Sequence, residues 1–106
     1  MKTYRCTVTP GEMDWEVTVD GQPLNPRFDL RNHSPDGFAH GYSGSGPSQL
    51  SLALLADVLQ DDVKAQLLYQ DFKFAVIARL PMNEGWEMTD EEILAQVKNL
   101  RQNESS

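Results

Sequence analysis

Residues 20–47 constrain this chain more than any other stretch, because four of its six prolines, five of its seven glycines and both of its histidines fall there. Proline fixes φ and removes a backbone donor, and glycine opens the left-handed region, so neither a long helix nor a continuous ladder runs through it. Regular structure must form on either side. A segment of this length without periodicity is functional or disordered when it sits in a small domain. Phe28, Leu30, Phe38 and Tyr42 give it apolar anchors, which predicts an ordered loop packed on the core. The alternation of Phe38, His40 and Tyr42 predicts a short third strand inside it.

The flanks have clear periods. Tyr4 to Thr9 alternates and is rich in β-formers, Pro10-Gly11 signals a turn, and Trp15, Val17 and Val19 share one face of a second strand. Asp20-Gly21 follows, and Pro23 and Pro26 are expected to end the ladder. After the loop, Pro47 suits a first helical turn with Ser45 or Gly46 as cap, and Leu50, Leu54, Leu55, Val58 and Leu59 form a stripe. Asp57 and Gln60 face away from it. Asp61 or Asp62 caps a second helix expected to reach Leu80, with Val63, Leu67, Leu68, Phe72, Val76 and Leu80 on its buried side. Pro81 ends it, and Trp86 to Met88 predicts a short edge strand. Thr89 and Glu92 make a capping box for a last helix, whose stripe is Ile93, Leu94, Val97 and Leu100. Strands first and helices after predict an α+β fold. It comprises a small, mostly antiparallel sheet of two to four strands, two longer helices and a C-terminal helix. Residues 1–100 read as one domain and 101–106 as a frayed polar tail.

Charge narrows the partners. The 106 residues carry a net charge of -7, and the five bases of residues 48–106 face ten acids. No Lys/Arg cluster is present to displace counterions, so no nucleic-acid partner is expected. Most of the acids sit at helix starts and on outer faces, where capping and solvation account for them. The one cysteine, Cys6, excludes an intramolecular disulfide and a cysteine zinc cluster, and it suits a small buried apolar position. No run reaches the ~20 apolar residues that span a bilayer, so no membrane partner is expected. The first residues hold no apolar segment resembling a signal peptide, which makes the cytoplasm the expected compartment.

The candidate site lies in the loop. Gly41-Tyr42-Ser43-Gly44-Ser45-Gly46 leads into a helix N-terminus, where free N–H groups suit an anion. The P-loop pattern fails, because Pro47 stands where the phosphate-binding lysine belongs. A dinucleotide fingerprint fails at Gln49. Arg27, Arg31, His33 and His40 lie near in sequence and bring charge and donors if the loop folds over the helix start. The candidate ligand-binding residues are therefore Arg27, Arg31, His33, His40, Tyr42, Gly44, Ser45, Gly46 and Gln49. The alternative for the glycines is a tight turn against the core. For Arg27, Asp29 and Arg31 it is salt bridging within the loop. Neither Ser43 nor Ser45 has nucleophile-elbow spacing, and two histidines seven apart are a weak metal pattern, so no catalytic residue, metal ligand or cofactor is assigned.

The run Asn32-His33-Ser34-Pro35, Gly37-Phe38, Gly41-Tyr42, Gly44-Ser45-Gly46-Pro47, Gln49-Leu50 and Leu52-Ala53-Leu54-Leu55 resembles domain-of-unknown-function family 6166, a family of small microbial and viral proteins. Tyr69-Gln70-Asp71-Phe72-Lys73, Leu80 and Val19-Asp20-Gly21 with Pro23-Leu24 resemble it as well, so the likeness spans about residues 15–95. The chain departs from the family pattern at Ser43, where glycine is usual, and at Arg5, where a glycine after the first tyrosine is usual. At His40 the family favours an aromatic, and the departure there argues for a packing role. The resemblance implies no activity and makes the loop the family's signature.

These observations lead to an expected non-enzymatic binding or protein-interaction module, acting through loop 27–49 on an unknown protein partner. The alternative is a pocket for a small anionic ligand, a nucleotide or phosphate, at the glycine-rich helix start. A hydrolase or metal enzyme using His33 and His40 ranks third. The oligomeric state is left open.

Overall fold

The structure, a computed structural model, describes residues 1–9, 14–34 and 37–104. Its elements are β1 (Thr3–Thr9), β2 (Asp14–Val19), β3 (Gln22–Pro23), α1 (Ser45–Leu59), α2 (Asp62–Ala75), β4 (Trp86–Thr89) and α3 (Asp90–Glu104), with a 3₁₀ turn over Ile77–Arg79. The sheet is antiparallel in the order β3-β2-β1-β4. This is the α+β architecture expected from the order of elements.

Each strand follows from local chemistry. β1 and β2 pair from Tyr4 opposite Val19 to Thr9 opposite Asp14. The Pro10-Gly11 turn between them lies outside the described residues. Asp20 and Gly21 both have positive φ, 50° and 85°, as a two-residue type I′ hairpin requires, and they return the chain into β3. Pro23 was expected to end the ladder; instead it pairs with Thr18. β3 is an edge strand, where a missing N–H costs nothing when it points away from the sheet. The strand expected over Phe38, His40 and Tyr42 does not form, and that backbone is irregular. β4 closes the other edge, running from Thr3 opposite Thr89 to Cys6 opposite Trp86.

α1 is buried without interruption from Gly46 to Ala56, so an expected single apolar stripe becomes a helix enclosed on all sides. Ser48, Gln49 and Ser51 are buried with its leucines. Tyr4, Cys6, Val17 and Trp86 from the sheet share one core with Leu50, Leu52, Leu54 and Leu55, with Phe72 and Ile77 beyond α1, and with Ile93 and Val97 of α3. Asp61 caps α2 by accepting from the Lys64 N–H at 3.1 Å.

Two corrections concern apolar faces. α2 ends at Ala75 rather than near Leu80, and it buries Ala65, Leu68, Tyr69, Phe72 and Lys73. Val63 and Leu67, expected inside, are 67% and 72% exposed. Leu94, expected in the α3 stripe, is 43% exposed, while Ile93 and Val97 are buried. The capping box forms as read: Thr89 Oγ1 accepts from the Glu92 N–H at 3.2 Å, and the Glu92 carboxylate accepts from the Thr89 N–H at 3.3 Å. α3 continues through residues 101–104, the start of the expected tail; Ser105 and Ser106 lie outside the described residues. Among the described residues no helix is long and apolar enough to cross a membrane.

Candidate functional site

The loop is fastened to the fold by its own candidate residues. Gln49, fully buried on α1, uses its whole amide. Its Oε1 accepts from the His33 and Ser34 N–H groups at 2.7 and 3.3 Å, and its Nε2 donates to the Pro26 and Arg31 carbonyls at 2.6 and 3.0 Å. A saturated buried amide of this kind rigidifies what it holds. His33 adds a second tie, with Nε2 2.8 Å from the Tyr69 hydroxyl on α2. Pro35 and Asp36 lie outside the described residues.

Arg27 is a third tie. Its guanidinium makes one fork to Asp29, with both contacts at 3.1 Å, and a second to Asp62, at 3.1 and 2.8 Å. Those hydrogen bonds raise the guanidinium above its ordinary value and hold the Asp29 carboxyl below the usual carboxylate range. Arg27 also has a left-handed φ of 59°, and its N–H donates to Asn25 Oδ1 at 2.9 Å. Backbone strain at a bulky residue persists only when its surroundings over-determine it, and here two carboxylates and an Asx turn do so. Arg31, in contrast, is exposed and meets Gln49 only through its carbonyl.

His40 is a core residue, fully buried. Its Nε2–H donates to the carbonyls of Pro81 and Glu84, at 2.9 and 2.8 Å, and its Nδ1 accepts from the Trp86 indole N–H at 3.3 Å. This network fixes one tautomer. The ring also meets Trp15 and Trp86 edge-on, at 5.9 and 6.4 Å between centroids, as an aromatic at that position would. Burial pushes the adjacent Cys6 thiol up to about 12. His33 and His40 thus have separate partners, and among the described residues no three His, Cys, Asp or Glu side chains gather as metal ligands would.

At the start of α1, the cradle around the glycines is partly filled. A Cβ on Gly44 would lie 2.6 Å from the Tyr42 ring, and one on Gly46 would lie 2.7 Å from the Ala39 side chain. Tyr42 covers the turn and is itself 41% exposed. Ser45 is exposed, and no acidic residue occupies the first turn. One residue that sequence reading missed stands close by. Lys73 of α2 is 7% exposed and donates from Nζ to Ser48 Oγ at 3.1 Å. No carboxylate pairs with it among the described residues. Nothing in the spacing of residues 48 and 73 announces this meeting; only the antiparallel packing of α1 on α2 does.

Of the clefts among the described residues, two border the helices. The larger, about 340 Å³, lies between the loop at Asn25 and Arg27 and the junction of α1 with α2 at Asp57, Gln60 and Asp62. Its carboxylates are engaged: Asp57 accepts from the buried Tyr4 hydroxyl and from Lys2 Nζ at 3.4 Å, and Asp62 takes the Arg27 fork. Burial, that hydrogen bond and nearby carboxylates push the Tyr4 phenol well above its ordinary value. The smaller, about 240 Å³, runs between α2 at Lys64 and α3 at Leu94 and Lys98.

The least satisfied surface is the outward side of α2. Val63, Leu67 and Phe74 are 67%, 72% and 56% exposed, and with half-buried Gln70 they follow a 4-3-4 spacing. At about 100° per residue, that spacing draws one stripe directly opposite Ala65, Leu68 and Phe72. Of these residues, sequence reading puts Val63 and Leu67 into the stripe of the buried side, and Phe74 and Gln70 into neither face.

No curated protein and no solved structure matches the chain. One sequence family does, over residues 5–99, which include most of β1, all of β2, the loop, α1, α2, β4 and the first ten residues of α3. The chain belongs to that family, the family of unknown function DUF6166.

Proposed function

We propose that this domain is a non-enzymatic interaction module in which the loop is the frame and α2 the docking element. The observation that carries the reading is the exposed apolar stripe of Val63, Leu67 and Phe74 on a helix whose opposite face is already buried. Isolated apolar residues are common on surfaces, but a stripe at helical spacing is how one helix offers itself to another. The loop supports this role: Arg27 joins it to Asp62 at the first residue of α2, and His33 joins it to Tyr69 about two helical turns further on. A helix held at both points is a rigid platform, which lowers the ordering cost of binding.

The test places a photo-crosslinking amino acid at Leu67, and in a control at Glu16, an exposed residue of β2, in cells making the protein. A discrete adduct is expected from position 67 and not from 16, and Phe74→Asp should abolish it. Equal labelling at both positions, or none at 67, would refute the reading.

A second reading is a small-anion site at the start of α1. It is favoured by Lys73, which brings to Ser48 the cation that Pro47 denies the loop. Thermal shift with inorganic phosphate and a nucleotide panel tests it: stabilisation by several degrees that Lys73→Met removes is expected. Absence of any shift ends it.

A further inference from the structure

We infer that the partner of the α2 stripe is a second copy of this chain, docked with the two α2 helices antiparallel. The inference rests on the interaction reading above and adds the identity of the occupant. Its argument is charge complementarity. α2 carries four charged residues: Asp62, Lys64, Asp71 and Lys73. Two belong to the fold, Asp62 through the Arg27 fork and Lys73 through Ser48. The other two, Lys64 and Asp71, are exposed and form no ion pair among the described residues.

Lys64 and Asp71 stand seven residues apart on the same flank of the stripe, about 10 Å along the helix. A two-fold axis perpendicular to a facing antiparallel pair keeps each flank beside its own copy and reverses its direction. Lys64 then lies beside Asp71 of the second copy, and Asp71 beside Lys64. One sequence thus supplies both halves of two ion pairs. The same axis sets Val63 against Phe74 and Leu67 against the stem of Gln70, a small residue facing a large one at each end. A parallel pair would place Val63 on Val63 and Phe74 on Phe74. It would also bring Asp71 beside Gln66 instead of Lys64, leaving the charges unmatched. Self-complementarity of this kind is what a closed two-fold interface needs.

The closing experiment is analytical ultracentrifugation of the full chain over a wide concentration range. A concentration-dependent dimer is expected. Leu67→Asp should weaken it by roughly 100-fold, because a charge would replace a central apolar anchor. Since Leu67 is exposed, that variant should keep the native circular dichroism. Lys64→Asp and Asp71→Lys should each weaken the dimer by about 10-fold, and the double variant should recover most of the loss. A monomer at every concentration, or a dimer indifferent to Leu67→Asp and to both reversals, overturns the inference. The crosslink from position 67 separates the two levels. An adduct of twice the chain mass supports self-docking; an adduct of any other mass overturns self-docking and leaves the interaction module standing; no adduct removes both.

Discussion

Gln49→Leu is the sharpest perturbation of the loop, because it removes hydrogen bonds while keeping volume. The side chain is fully buried and joins two N–H groups and two carbonyls of residues 26–34 to α1. A buried group left without its partner costs about 1–3 kcal/mol. The backbone of the exposed Arg31 can recover water, and the half-buried His33 and Ser34 only in part, so the sum should be about 3–5 kcal/mol. A domain of this size has roughly 5–15 kcal/mol in all. With a urea m-value of about 1.3 kcal/mol/M, the midpoint should fall by roughly 3 M. Hydrogen exchange should speed first at the His33 and Ser34 amides. Gln49→Glu sharpens the test: a carboxylate still accepts from both N–H groups but faces the Pro26 and Arg31 carbonyls without a donor. Its ionised form is disfavoured, so the folded-state pKa rises, and the deficit should shrink as pH falls toward the ordinary glutamate range. A loss under about 1 kcal/mol for Gln49→Leu, or unchanged exchange at His33 and Ser34, would refute the view that Gln49 holds the loop.

Three further outcomes follow from the same geometry. The folded state holds the protons of Tyr4 and Cys6 more tightly than the unfolded chain does. Stability should therefore be full below the ordinary thiol value near ~8.5 and decline above it, more steeply past ~10. Urea midpoints from pH 7 to 11 check this, and Tyr4→Phe should flatten the upper part. The Arg27 fork lowers Asp29, so its contribution is present above the ordinary aspartate range and lost as pH falls through the lowered value. Melting temperatures from pH 2 to 7 should show that acid limb reduced in Arg27→Met. Gly41 has φ 87°, and a Cβ there would lie 2.6 Å from Met82 Cα, so Gly41→Ala should cost about 2–4 kcal/mol in urea unfolding.

What could be read from the sequence was local. The capping box at Thr89 and Glu92 needs only residues three apart, and both hydrogen bonds form. The edge strand at Trp86 and the hairpin of β1 and β2 were equally plain. Faces were harder: α2 has apolar residues on two opposite sides, and a stripe through Val63, Leu67, Leu68 and Phe72 blends them. Which side is buried depends on α1, outside the helix itself. Pro23 shows a rule applied without its context, since edge position is a property of the whole sheet. At the candidate site the difficulty was of another kind. A buried glutamine and a forked arginine have the same chemistry whether they hold a ligand or their own backbone, and only placement shows that Gln49, Arg27 and His40 hold the fold. Lys73 needed a contact between two helices to appear at all.

The pairing of β1 with both β2 and β4 has a consequence for synthesis. β1 is inner in the finished sheet, yet the residues of one of its two neighbours pair with it across about 80 residues of chain. Until Trp86–Thr89 leaves the ribosome, the side of β1 bearing Tyr4 and Cys6 has an open ladder edge, and His40 lacks the Trp86 indole that fixes its ring. Such an edge is a template for another strand. The chain is thus open to misassociation along that edge until β4 is made, and closing the sheet is a long-range step of the kind that slows folding. A product ending before β4 would leave that edge unguarded and would also lack Trp86, Ile93 and Val97, which help to enclose α1, so its fate would turn on what the open edge meets.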